Sequence, residues 1–113
     1  MSTQAFGPRG KTYNLAASDT ASAPVQIVSS NSGCYTMQFV NVGSKAAYFS
    51  WGTKDGDGKC PPAEVPQAGS SGWGVPVLPN EIVIYNLVPE PWISVVCASG
   101  ESTNLLVTPG EGM

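Results

Sequence analysis

Cys34-Tyr35-Thr36-Met37-Gln38-Phe39-Val40-Asn41-Val42, followed by Gly43-Ser44, is the stretch that decides the fold. Tyr35, Met37 and Phe39 alternate with Thr36 and Gln38, which puts three large apolar side chains on one face of a chain with period two. That is the mark of a half-buried strand. Ala47, Phe49 and Trp51 repeat the pattern a few residues on. Gly43-Ser44 between the two runs reads as a two-residue hairpin turn, since glycine supplies the positive φ of a primed turn.

Working outward, 13 glycines and 10 prolines cut the 113 residues into short pieces. Val25 to Ser32, Cys34 to Val42, Ser44 to Trp51, Asn80 to Val88, Trp92 to Ser99 and Glu101 to Thr108 contain neither residue. Such pieces are short for helices, and they are filled with the β-branched and aromatic residues that suit a pleated surface. With Thr12 to Ala16 and Val75 to Leu78 they predict about eight strands, the number expected of an all-β, two-sheet antiparallel sandwich or jelly roll. Ser99-Gly100 is expected to turn Trp92 to Ala98 onto Thr103 to Pro109. Ile82 to Leu87 and Ile93 to Cys97 are apolar on both faces and read as a strand pair in central positions between two layers, with Pro89-Glu90-Pro91 making the crossing between them.

Two stretches fall outside this ladder. Residues 1–10 read as an extended N-terminal arm, and residues 52–74 as one long surface loop of a single β-sandwich domain spanning 11–113. The loop strings together Asp55-Gly56-Asp57-Gly58, Pro61-Pro62 and Gly69-Ser70-Ser71-Gly72, so it is expected to be mobile unless a partner orders it.

The chemistry points away from catalysis. No histidine is present, which removes the usual triads and the common zinc and iron sites. No spacing singles out two of the glutamates as an acid–base pair, so neither an enzyme nor a cofactor is expected. Asp55 and Asp57 faintly resemble a calcium-binding loop but lack its third acidic ligand and its closing glutamate, and a plain turn is the better reading. Net charge is −3 and the five basic residues are scattered, so no nucleic acid is expected. The same count argues against an anionic membrane, the apolar runs are too short for a spanning helix, and residues 1–11 lack the apolar segment of an export signal. Cys34, Cys60 and Cys97 match no compact metal motif and are expected as reduced thiols, with Cys97 packed in a strand and Cys60 exposed in its loop.

Binding is the better expectation. Only 12% of residues are charged, leaving a surface of Ser, Thr, Asn, Gln and Gly that a partner can cover at small desolvation cost. Trp51 and Trp92 border apolar runs and read as core or core-edge residues, whereas Trp73 lies between Gly72 and Gly74 and is the candidate exposed anchor. In the arm, Phe6 is the candidate apolar peg and Arg9 the ionic contact for a neighbouring subunit.

The layout also carries a resemblance. The Gly-Lys-Thr-Tyr opening (Gly10 to Tyr13), Phe-Val-Asn-Val-Gly (Phe39 to Gly43), the strand entry from Val75 to Glu81, Ala-Ser-Gly (Ala98 to Gly100) and Val-Thr-Pro-Gly-Glu-Gly (Val107 to Gly112) resemble the small jelly-roll decoration, or cement, proteins of tailed bacteriophage capsids. The resemblance implies a virion structural protein, assembled in the host cytoplasm, that sits on the capsid exterior as a homodimer or homotrimer. It would bridge neighbouring major capsid subunits and stabilise the shell. Another virion part (tail, head fibre or host-contact module) and a carbohydrate-binding β-sandwich are the alternatives.

Overall fold

The computed structural model describes residues 6–30, 33–53 and 59–111. It contains nine strands among these: β1 (Gly7–Pro8), β2 (Tyr13–Ala17), β3 (Val25–Gln26), β4 (Thr36–Asn41), β5 (Ala47–Gly52), β6 (Val75–Val77), β7 (Ile82–Asn86), β8 (Trp92–Cys97) and β9 (Thr103–Glu111). Sheet I runs β2-β9-β4-β7, with β1 extending the β2 edge along β9; sheet II runs β3-β8-β5-β6. Every pairing between these strands is antiparallel. Only β5 to β6 joins neighbours within one sheet; from β2 onward every other connection crosses the sandwich, which is jelly-roll winding.

The period-two pattern holds at Met37, Phe39, Ala47 and Phe49, whereas Tyr35, expected on the same face, precedes β4 and is 50% exposed. Met37, Phe39 and Asn41 of β4 face inward, as do Leu105 and Val107 of β9, and they meet Ala47, Phe49, Val77, Ile93, Val95 and Cys97 of sheet II. At the centre the rings of Phe39 and Phe49 stack across the sheets at 4.1 Å between centroids. Tyr85 packs edge-on to Phe39 at 6.0 Å, and Trp51 is tilted against Phe49 at 6.0 Å.

The strand partners differ from those predicted at three places. Gly43-Ser44 does not close a hairpin, because β4 and β5 lie in different sheets. The reason is Asn41, which is fully buried on the apolar phase of β4. Its Nδ2 donates to the carbonyls of Lys45 and Val77, both at 2.8 Å, while its Oδ1 accepts from the Gly43 amide at 3.0 Å and the Thr103 hydroxyl at 2.8 Å. These bonds roll the chain over from sheet I to sheet II. Gly43 serves space and not positive φ, since a Cβ there would strike the Thr103 side chain.

Ser99-Gly100, with Gly100 at φ 77°, likewise carries the chain between sheets instead of pairing β8 with β9. The third difference concerns β7 and β8, which do not pair. β8 is an interior strand of sheet II, whereas β7 is the outer edge of sheet I, and Ile82 is 62% exposed. Pro89-Glu90-Pro91 does make a crossing, from one sheet to the other.

The described part of the predicted arm folds back on its own chain. Gly7 and Pro8 pair with Glu111 and Gly110, and the Arg9 amide donates to the Pro109 carbonyl at 2.8 Å. Phe6 is 3% exposed, with its ring over Gly110, where any Cβ would collide with it. The fold therefore takes in residues 6–10, which the sequence reading set outside the domain. A further difference lies within residues 52–74: Cys60 and Ala63 are buried, against the expectation of an exposed thiol in a mobile loop.

Two substitutions test these contacts. Asn41→Leu should lower unfolding free energy by about 3 kcal/mol or more, because it leaves buried donors and acceptors unpaired on both sheets. Phe6→Ala should cost about 3 kcal/mol in urea denaturation of the isolated chain. A Phe6 that served only a neighbouring subunit would leave that value unchanged.

Candidate interaction surface

The two outer faces of the sandwich are finished differently. On sheet II the outward side chains of Ser50 and Ser94 are buried, because the segment after Cys60 lies across them. The Ser50 hydroxyl donates to the Pro61 carbonyl, the Ala63 amide donates to Ser94 Oγ at 3.1 Å, and Ser94 Oγ donates to the Ser22 carbonyl at 2.8 Å. The centre of sheet II, at Ser50 and Ser94, is thus covered by its own chain.

Among the described residues no such cover lies over most of the outer face of sheet I. In register, Asn14, Leu106, Val40 and Ile82 form one row across four strands, and Thr108, Gln38 and Ile84 form the next. Ala16 and Asn104 lie beyond the first row, with Val42 beside them, bonded through its amide to the Asn104 carbonyl at 3.1 Å. Phe6 caps the opposite end of this face, over Gly110. No charged residue holds an outward position on these strands; Glu111, their single charged member, falls on the other phase of β9. The surface is a flat, uncharged field of amides, hydroxyls and branched aliphatics, with Val42 and Ile82 more than half exposed. A partner could cover it without desolvating a charge.

Sequence reasoning missed this face, though a signal was present. Around Asn41 the alternation inverts: Val40 and Val42 fall on the polar phase while Asn41 takes the apolar one.

Trp73 is 61% exposed, as predicted for an anchor, and its backbone is clamped. The Glu64 amide donates to the Trp73 carbonyl at 2.9 Å, and the Trp73 amide donates to Glu64 Oε1 at 2.9 Å. Gly74 permits this approach, since a Cβ there would collide with the Glu64 carbonyl. Glu64, Ser71, Gly72 and Trp73 line a shallow depression. Arg9 forms an ion pair with Glu111 at 3.1 Å on the surface of its own chain, a contact contributing about 1 kcal/mol at most. Nothing brings Phe6, Arg9 and Trp73 into one constellation: Phe6 and Arg9 flank the end of β9, while Trp73 precedes β6. Asp55 and Asp57 lie outside the described residues, and among the described residues no cluster of His, Cys, Asp or Glu suits a metal.

All three cysteines are free and buried. Burial pushes the Cys60 thiol up from its ordinary value, partly offset by its hydrogen bond with Ser50. Burial raises Cys97 as well, and the nearby Glu101 carboxylate adds to the effect. Both are packed thiols held toward the neutral form. Comparison of the chain with protein-family models, with curated proteins and with solved structures finds no match.

The thiols set an alkaline limit. Because the folded state holds the neutral forms, their contribution to stability is complete below the ordinary thiol value of 9.0 and is lost as pH rises through the raised folded values. The melting temperature should therefore fall above that value more steeply in the native chain than in Cys60→Ala/Cys97→Ala.

Proposed function

We propose that this chain is a virion structural protein, a capsid decoration or cement protein that binds the outside of a phage head and bridges neighbouring major capsid subunits. The observation that carries the reading is the uncharged outer face of sheet I, mostly uncovered among the described residues, beside a sheet II whose centre is covered by its own chain. The resemblance of the turn and strand-entry motifs to decoration proteins supports the same reading.

Mechanically, the rigid sandwich would act as a plate laid across a subunit boundary. Each contact is modest, but many copies on one closed lattice add into a large barrier to shell opening. A second reading, carbohydrate binding, is favoured by one observation: the Trp73 ring is exposed on a backbone held by Glu64, the rigid aromatic platform on which a sugar can stack.

Electron microscopy of virions that carry the chain tests the first reading. Density is expected on the head exterior with the β2-β9-β4-β7 face against the shell. Leu106→Lys, at the centre of that face, should lower head occupancy about tenfold with little change in melting temperature. Density on the tail, or unchanged occupancy, would overturn it. Glycan binding lost in Trp73→Ala would favour the second.

A further inference from the structure

A sandwich has four sheet edges, and exposed edges are usually blunted by prolines, charges, bulges or shortness. Three are blunted here. The β1/β2 edge is interrupted between Pro8 and Tyr13 and carries Arg9 and Lys11 in the gap. On sheet II, β3 has two residues, and β6 has three with Pro76 in the middle.

The fourth edge, β7, has none of these guards. Its residues Ile82-Val83-Ile84-Tyr85-Asn86 include no proline and no charge, and they pair with β4 without a bulge. Among the described residues no strand lies beyond it. The Leu87 amide donates to the Tyr35 carbonyl at 2.8 Å, and the Glu81 carbonyl accepts from the Asn41 amide at 3.2 Å, so odd-numbered positions turn their backbone groups toward β4. By the alternation of an antiparallel ladder, Ile82, Ile84 and Asn86 aim their N–H and C=O groups outward, away from the sheet.

We propose that this edge is a homodimer interface, in which β7 pairs with β7 of a second copy, antiparallel about a two-fold axis at Ile84. Sheet I then continues from one molecule into the next. The register centred on Ile84 sets Ile84 against Ile84 and Ile82 against Asn86, and it engages all of the outward backbone groups of the strand. Registers centred on Val83 or Tyr85 leave one of the three residues outside the paired strand.

A second copy fits this edge better than an unrelated strand because the edge is self-complementary, as a two-fold interface demands. No like charges meet. Val83 falls opposite Tyr85 on the core side, in the pair type whose side chains approach closest. Val83, Tyr85, Val75 and Trp51 pack on the core but are only partly buried, and the second copy's Val83 and Tyr85 would extend that apolar layer. The pairing uses the edge and leaves the centre of the outer face open, so it stands or falls independently of the shell-binding reading.

Light scattering on the full chain measures the mass directly, and twice the chain mass is expected. Ile84→Lys places two ammonium groups at the axis on an exposed face, and should give a folded monomer with an unchanged far-ultraviolet spectrum. Ile84→Cys should be joined into a covalent dimer by a short bismaleimide, because the pairing brings the two Cα atoms to about 5.5 Å, while the Cβ atoms of a hydrogen-bonded pair stay too far apart for an unstrained disulfide. The native chain, with its cysteines buried, should stay unlinked. A native monomer or trimer, a dimer that survives Ile84→Lys, or an Ile84→Cys chain that does not cross-link overturns the assignment.

Discussion

The carboxamide of Asn41 sits where the chain crosses from β4 to β5, and it bonds to both sheets at once. Its oxygen accepts from Gly43 and Thr103, and its nitrogen donates to Lys45 and Val77. A fully buried amide is costly unless every polar atom is satisfied, and here each has two partners. The arrangement therefore specifies geometry as much as it stabilises. Moving β4 one residue against β9 would put Asn41 outside and a valine in its place, leaving the Thr103 hydroxyl and the Val77 carbonyl unpaired. Gly43 is part of the same constraint, since no larger residue fits against Thr103.

The remaining packing follows from that corner. With β4 and β5 committed to opposite sheets, Phe39 and Phe49 are brought face to face and the apolar phases of the other strands close around them. The alternating crossings leave two outer faces of different character. Serines on sheet II are tied down by Ser22 and residues 61–63, while sheet I is left with an uncharged surface bordered by a bare strand edge. Both features are suited to contact. A face without charge has little electrostatic steering, so a partner there would be selected by shape and backbone pairing.

Much of this was legible in advance, for a local reason. Period-two alternation at Met37, Phe39, Ala47 and Phe49 is a property of neighbouring residues, and it identified both the strands and most of the inward side chains. The exposure of Trp73 was legible too, because glycines on either side leave no local core to receive it. Phe6 and Cys60 were misread because their burial is made by distant groups: Gly110 gives Phe6 its space, and Ser50 and the overlying proline segment enclose Cys60. The field around Leu106, Val40 and Ile82 escaped notice because its rows are assembled from four separate strands.

The sequence alone determined that the chain is all-β, where most of its strands lie and which side of most strands faces inward, because turn residues and alternation act over a few positions. Tertiary structure decided which sheet each strand joins, which outer face is covered and which edge is left bare. Backbone hydrogen bonds are nearly blind to side-chain identity, so any two of these strands could pair. The choice among partners rests on long-range closures such as Asn41 with Thr103, whose two halves lie 62 positions apart.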